Sequence, residues 1–410
     1  MRIAIIGGGP AGFFAAISAV TNDPSAKIVI FEATSHPLDK VRISGGGRCN
    51  VTNHCFDPAE LVTYYPRGGK QLRGAFNRFQ PRDTVAWFQS QGVALKVEDE
   101  GRMFPTTDTS ATIVDCLHSA AIKADVQIRL NTGIKSITTV AHDENQPTFE
   151  IQLPDGVAAR FHRVLIATGS NARGYRLAEE LGHTIVPCVP SLFTFKVTDP
   201  RLKGLAGVAF ENVKLTIKGA AKRKLTQTGP MLVTHWGLSG PAVLKLSAWG
   251  ARILHDNDYQ AEVTVNFLPE YTTETLYRKL PAIKEQHGKK RIHTGEVLPI
   301  PKRYWTRIVQ HIGIAKDTTW ATITKPKMTA LVEELTAARF AISGKGAFKE
   351  EFVTCGGINL TEVDFDTMQS RKCPGLYFAG EILDIDGLTG GFNFQNAWTT
   401  GWIAGASMVR

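Results

Sequence analysis

Met1-Arg2-Ile3-Ala4-Ile5-Ile6-Gly7-Gly8-Gly9-Pro10-Ala11-Gly12 opens the chain, and its reading decides the fold class. Arg2 to Ile6 predicts a short buried strand, and the glycines follow it without a gap. Phe13 to Val20 has helical character, Lys27 to Phe31 predicts a second buried strand, and Glu32 stands directly after it. Strand, glycine turn, helix, strand and acid in this order predict a dinucleotide-binding βαβ unit. Gly7 permits the tight turn, Gly9 lets the backbone approach a pyrophosphate, and Gly12 lets helix pack closely on strand. Pro10 and Ala11 begin the helix, whose first N–H groups and positive dipole end face the phosphates. Glu32 is placed to accept hydrogen bonds from a ribose diol.

Working outward, Lys40-Val41-Arg42-Ile43-Ser44-Gly45-Gly46-Gly47-Arg48-Cys49-Asn50-Val51-Thr52-Asn53 is too glycine-rich for a helix or strand core. It predicts a backbone that lies flat against an anion or cofactor, with donors on either side. Together with the opening glycine motif, this stretch resembles the YhiN/BaiN-like family of FAD-dependent oxidoreductases. Further segments agree with the family pattern. Val164-Leu165-Ile166 runs into Ala167-Thr168-Gly169, and Val233 to Leu244 contains His235-Trp236-Gly237. Near the C-terminus, Gly375 to Phe378 leads into Ala379-Gly380-Glu381, then Asp384-Ile385-Asp386-Gly387, then Gly390-Gly391-Phe392-Asn393-Phe394-Gln395-Asn396-Ala397, which opens a final apolar helix. One departure stands out: only Ser170 to Arg173 separate Gly169 from Gly174-Tyr175, where relatives usually carry a longer polar insertion.

The resemblance implies an α/β fold: a three-layer, Rossmann-like FAD domain interrupted by an inserted domain. Its two parts are expected at residues 1–189 and 345–410, with the insertion at 190–344 made of strands and then helices. It implies noncovalent FAD held by Gly7, Gly9, Pro10, Ala11, Gly12, Glu32, Lys40, Ser44, Gly47, Arg48, Asn50, Thr52, Ala167, Thr168, Gly169, Gly380, Glu381, Asp386, Gly391, Phe392, Asn393 and Gln395. Ile134 is expected to reach the adenine through its backbone. NAD(P)H is the expected hydride donor, docking transiently, because no second G-x-G-x-x-G follows a strand. The implied reaction reduces a conjugated C=C bond. Substrates within the family range from uridine in ribosomal RNA to unsaturated bile-acid intermediates, with aminoacetone oxidation in a neighbouring branch. A noncatalytic FAD-bound RNA-binding protein is the competing class.

Two side chains are candidates for catalysis. Cys49, beside Arg48, is read as a proton donor whose pKa the cation lowers, against a side chain that simply packs under the isoalloxazine. His235 is read as an acid–base or substrate-binding group, against a purely structural part in fixing its turn. The other cysteines, at 55, 116, 188, 355 and 373, are spaced for neither a disulfide framework nor a zinc site, and no metal is expected.

Composition bounds the rest. The 410 residues are 43% hydrophobic and contain no long apolar run, which speaks against a membrane span. The first strand starts at residue 2, so no signal peptide and a cytoplasmic setting are expected. Net charge is +9, and residues 201–350 carry 24 Lys/Arg against 12 Asp/Glu, leaving −3 for the rest. Such a basic insertion suits a polyanionic partner such as RNA, or a solvated face. Lys222-Arg223-Lys224, Lys289-Lys290-Arg291 and Lys302-Arg303 are the candidate phosphate contacts, with Tyr304 or Trp305 for base stacking.

Overall fold

The structure is a computed structural model that describes residues 1–140, 148–218, 224–294, 297–346 and 353–410. Its contacts divide the chain into two compact units, the first comprising 1–189 and 353–410 and the second beginning at Pro190.

The first unit is built on a seven-stranded sheet. Its order is Val363–Asp364, Gln369–Ser370, Leu376–Phe378, Arg163–Ile166, Arg2–Ile6, Lys27–Phe31 and Gln127–Arg129. The five strands from Leu376–Phe378 onward run parallel, with Ile6 opposite both Ile166 and Phe31. These strands are apolar runs because a parallel sheet is packed on both faces, here against elements that include helix Pro10–Asn22 and the strand ending at Phe161, whose ring lies 5.8 Å from that of Phe31. Ile3, Ala4, Ile5, Val164, Leu165 and Ile166 are fully buried. The N-terminal helix, Pro10–Asn22, and the C-terminal helix, Phe392–Met408, pack side by side, joined by the Ser18 hydroxyl donating to the Trp402 carbonyl at 2.8 Å. Two three-stranded antiparallel sheets also belong to the unit, one from Thr52–Asn53, Arg102–Pro105 and Leu95–Val97, the other from Ser136–Val140, Thr148–Gln152 and Ala158–Phe161.

The glycine-rich stretch departs from its expected form. Asp39 to Ile43 are helical, and the chain leaves the helix at Ser44 (ψ 153°). Gly45, Gly46 and Gly47 then turn left-handed, at φ 58°, 67° and 83°.

The second unit contains a closed six-stranded barrel ordered Phe195–Lys196, Gly237–Ser239, Lys224–Val233, Ala209–Lys218, Gln260–Asn266 and Ala338–Lys345. Three helices, Thr273–His287, Lys302–His311 and Lys325–Ala337, lie in sequence between the fifth and sixth of these strands in chain order. The expected sequence of strands and then helices is therefore corrected. The last strand pairs with Gln260–Asn266 on one side and Phe195–Lys196 on the other, which closes the barrel and removes its edges. A boundary at 344 would cut that strand one residue before its end.

Tyr304 and Trp305 are also corrected: both are fully buried, and the Trp305 indole donates to the Ile292 carbonyl at 2.6 Å. They sit on the inner face of an amphipathic helix and form part of the core, so neither ring can stack on a base. Among the described residues no helix is long and apolar enough to cross a membrane.

Candidate functional site

Four motifs meet at one edge of the large sheet. The opening glycines, Glu32, Ala167-Thr168-Gly169 and Gly380-Glu381 all follow the carboxyl ends of neighbouring parallel strands. Arg2–Ile6 lies between Lys27–Phe31 and Arg163–Ile166, so strand order reverses there, and the crevice at such a switch point is where open α/β sheets bind ligands. Close packing explains the glycines at its floor. A Cβ on Gly7 would stand 2.5 Å from the Ala167 carbonyl oxygen, and one on Gly12 would stand 2.1 Å from that of Gly7. Glu32 accepts the Gly8 and Thr34 N–H groups, each at 2.8 Å, which fixes its carboxylate beside the glycine turn. Ile134 is buried, and its carbonyl accepts the Arg173 Nε–H at 2.9 Å.

The site fits an extended dinucleotide. A Cβ on Gly9 would meet nothing within 4 Å, and no side chain caps the helix that Gly9 begins. First-turn amides of that helix have no intrahelical acceptor. Gly391 likewise begins the C-terminal helix without a side-chain cap. Gly401 packs on Ala11 and Gly405 on Ala15, so the two helices run in the same direction. Gly391 precedes Gly401 by ten residues whereas Gly9 precedes Ala11 by two, so the second open helix start lies eight residues, or about 12 Å at 1.5 Å per residue, beyond the first. That spacing suits a ligand with a pyrophosphate at one end and an aromatic ring at the other. Thr168 Oγ1 and Asn396 Oδ1 are buried without a hydrogen-bond partner.

Many side chains expected at the cofactor instead hold the scaffold. Arg48 is a bidentate donor to Glu98, at 2.8 and 3.3 Å, and lies 4.0 Å over the Phe104 ring. Ser44 Oγ donates to the Val41 carbonyl, and Asn50 Oδ1 accepts the Met103 N–H. The Lys40 ammonium bridges Glu381 and the Ser170 hydroxyl. Asp386 is fully buried and paired with Arg67. Asn393 exchanges two hydrogen bonds with the Gly387 backbone, at 2.8 and 2.9 Å. Gln395 accepts from the Thr52 and Thr84 hydroxyls, at 2.6 and 2.9 Å, and donates to Thr399 at 3.0 Å. The side chains of Arg48, Asp386, Gln395 and Thr52 are thus all engaged with protein groups. Their segments can still present main chain to the ligand, as can Gly46 and Gly47, where a Cβ would meet nothing within 4 Å.

For Cys49 the expected lowering of the thiol pKa is corrected. Its side chain is fully buried, and burial pushes the thiol up to about 12, with the Ser44 hydroxyl only partly opposing. The expected lowering by Arg48 fails because Glu98 and Asp108 already engage that cation. His235 belongs to the second unit, exposed in the turn between Lys224–Val233 and Gly237–Ser239. That turn is held by the Thr234 N–H on the Gly237 carbonyl at 2.8 Å. The following helix starts from Gly240, and Ser239 is in a strand opposite Leu232. Lys222 and Arg223 lie outside the described residues. Arg67, Glu98 and Asp108 went unforeseen; for Arg67 the signal was its place in the aromatic–basic run from Tyr64 to Arg82.

The HI0933-like protein Rossmann domain family matches residues 1–407. A ribosomal RNA dihydrouridine synthase of Escherichia coli (strain K12) is 30% identical over 416 residues, spanning 99% of this chain and 97% of that protein. A 3-dehydro-bile acid delta(4,6)-reductase of Clostridium scindens is 29% identical over 418 residues, spanning 100% and 99%. Among solved structures, 3-ketosteroid delta1-dehydrogenase from Sterolibacterium denitrificans has a TM-score of 0.51 at 12% identity, covers 99% of both chains, and shows the fold alone. With the crevice, the paired open helix starts and a family match over almost its whole length, the chain belongs to the HI0933-like Rossmann-domain family of FAD-dependent oxidoreductases.

Proposed function

We propose that this protein reduces a conjugated C=C bond with hydride drawn from NAD(P)H, and that its substrate is uridine in ribosomal RNA. FAD, when bound, supplies the two-electron carrier between donor and acceptor. The chain's own part is to hold that carrier by backbone, through the first-turn amides at Ala11 and Gly12 and the uncapped start of the helix after Gly391. Glu32 is fixed for a ribose, and Cys49, buried and protonated, keeps its proton rather than giving it up.

The observation that carries the choice of substrate is charge. Curated relatives acting on RNA and on a bile acid are nearly equally similar, at 30% and 29% identity. The +12 gathered in residues 201–350 favours the polyanion. The proposed setting is the cytoplasm, where the six free thiols stay reduced.

The test is anaerobic bleaching of the flavin with NADH and with NADPH, then reoxidation by a ribosomal RNA fragment or by a 3-oxo-4,6-dienoic bile acid. Mass gain of two hydrogens on uridine supports the proposal. Reoxidation by the bile acid alone selects the second reading, which its relative's full-length similarity supports. A flavin that no nicotinamide bleaches indicates a noncatalytic binding protein.

A further inference from the structure

We propose that Glu98, Asp108 and Lys96 are positioning residues for the cofactor, acting through Arg48, and that Arg48 anchors the glycine cradle instead of neutralising the pyrophosphate. The proposal rests on the reading that the chain holds FAD. Arg48 follows three glycines and is the cation that a phosphate would be expected to meet. Its guanidinium is already engaged, with Nη1 and Nη2 donating to Glu98 at 2.8 and 3.3 Å and Nη1 donating to Asp108 at 3.3 Å. Lys96 closes the ring, 2.5 Å from Asp108 Oδ2 and 3.6 Å from Glu98 Oε1. Two cations and two carboxylates sum to zero, so the cradle offers a phosphate little net charge from this cluster.

The cradle needs an external anchor. Gly45, Gly46, Gly47 and Cys49 all have positive φ, at 58°, 67°, 83° and 61°. A run of this kind orders poorly by itself, since glycine loses the most freedom on being fixed. Within it the Cys49 N–H bonds the Ser44 carbonyl at 3.0 Å. Tethers from outside are the Ser110 N–H on the Gly47 carbonyl at 2.8 Å, the Ser110 hydroxyl on the Arg42 carbonyl at 2.6 Å, and the Arg48 ring of charges. Isolated exposed ion pairs contribute little, but a bidentate Arg within a closed network, laid on an aromatic face, is the arrangement in which geometry adds. Lys96 stands on the strand Leu95–Val97 and Glu98 directly after it, and Asp108 is on the turn after Arg102–Pro105, so that small sheet fixes the cradle through them.

FAD affinity, measured by flavin fluorescence titration of apoprotein, separates the two roles of Arg48. As anchor, R48A and E98A each weaken binding by roughly 10-fold, the scale on which outer-shell partners act. The R48A/E98A double variant is then no weaker than R48A, and R48K fails to rescue because an ammonium lacks the fork. The visible band structure of flavin bound to E98A shifts toward that of free flavin. As phosphate ligand, Arg48 would be released by E98A, so unchanged or tighter binding in E98A overturns the proposal, and so do additive losses in the double variant. Melting of each apo variant reports folding, and E98Q and D108N carry the same comparison if E98A does not fold. Failure of the wild type to bind FAD points to the cofactor reading itself.

Discussion

Burial decides what Cys49 can do. A thiol pushed up to about 12 stays protonated at neutral pH, and its sulfur is out of reach of reagents. In the folded protein, iodoacetamide followed by peptide mass mapping should label exposed Cys188 first and leave Cys49 untouched until denaturant is added. Cys49→Ala should keep the cofactor and cost about 1 kcal/mol in urea unfolding, as a small buried atom is lost. A second residue-scale device lies at His183. Its Nδ1–H donates to the Glu362 carboxylate at 3.0 Å, and its Nε2 meets the Ser370 hydroxyl at 2.8 Å. Burial holds His183 below its ordinary 6.5, although Glu362 pulls the other way. Burial also works against ionised Glu362, but donation from Lys372 and Thr184 outweighs it and places the carboxyl at about 2. Both folded-state values are depressed, so both groups stabilise the fold at neutral pH and lose that contribution as pH falls, His183 below 6.5 and Glu362 from 4.5 toward 2. Thermal melts from pH 8 to 3 should show this decline. Glu362→Gln should lower Tm at pH 7 by roughly 2–4 °C, for about 1 kcal/mol, and flatten the curve below pH 4.5. An unaltered acid limb would remove Glu362 from the account.

The two parallel helices show how far elements could be read from the sequence. Strand Arg2–Ile6, helix Pro10–Asn22 and strand Lys27–Phe31 announce themselves by apolar runs and glycine punctuation, and they form as expected. The barrel's closing strand did not, because Ala338–Lys345 alternates buried and exposed residues directly after a helix and its partners lie far away in sequence. Site side chains were misread for a related reason. Residue type and motif order place Arg48, Asp386 and Gln395 near the crevice, but their partners Glu98 and Thr84 come from segments with no motif of their own, and the aromatic–basic run that holds Arg67 does not name Asp386 as its partner. The helix contact was also legible only in part. Gly401 and Gly405 are four apart and so share a face, yet nothing in their spacing names Ala11 and Ala15 as the surface they meet. A Cβ at Gly405 would lie 2.2 Å from the Ala15 carbonyl oxygen, and one at Gly401 would lie 2.6 Å from that of Ala11. Backbone on both sides leaves no flexible atom to yield. Gly405→Ala should therefore cost about 1–3 kcal/mol and loosen FAD as the two helix starts move apart, read by melting and by flavin released on gel filtration. Wild-type stability with full flavin content would show the helices are less closely coupled.

At the scale of the whole molecule, charge and fold divide the work. The residues of the first unit supply the crevice, while the middle of the chain carries the basic excess. The structure changes which residues could grip a polyanion. Tyr304 and Trp305 are withdrawn into the core, and Arg303 donates to the Gly204 carbonyl at 2.7 Å. Lys289, Lys290, Arg291 and Lys302 remain exposed. Phosphate contacts by such side chains displace condensed counterions, so affinity should fall with salt along a log–log slope of about 0.7 to 0.9 per contact. Replacing those four residues by Gln should weaken binding of ribosomal RNA fragments at low salt and reduce the slope by up to about 3. The same variant should bleach with its nicotinamide donor at the wild-type rate, because the expected donor carries no comparable polyanion and the substituted residues belong to the second unit. A steroid-like acid would respond in the opposite pattern: four lost cations would leave its reduction nearly unchanged, since a single carboxylate needs one partner and is only weakly screened by the rest. RNA binding with equal affinity and slope in both proteins would therefore defeat the polyanion proposal, and unaltered turnover of the bile acid in the same variant would replace it.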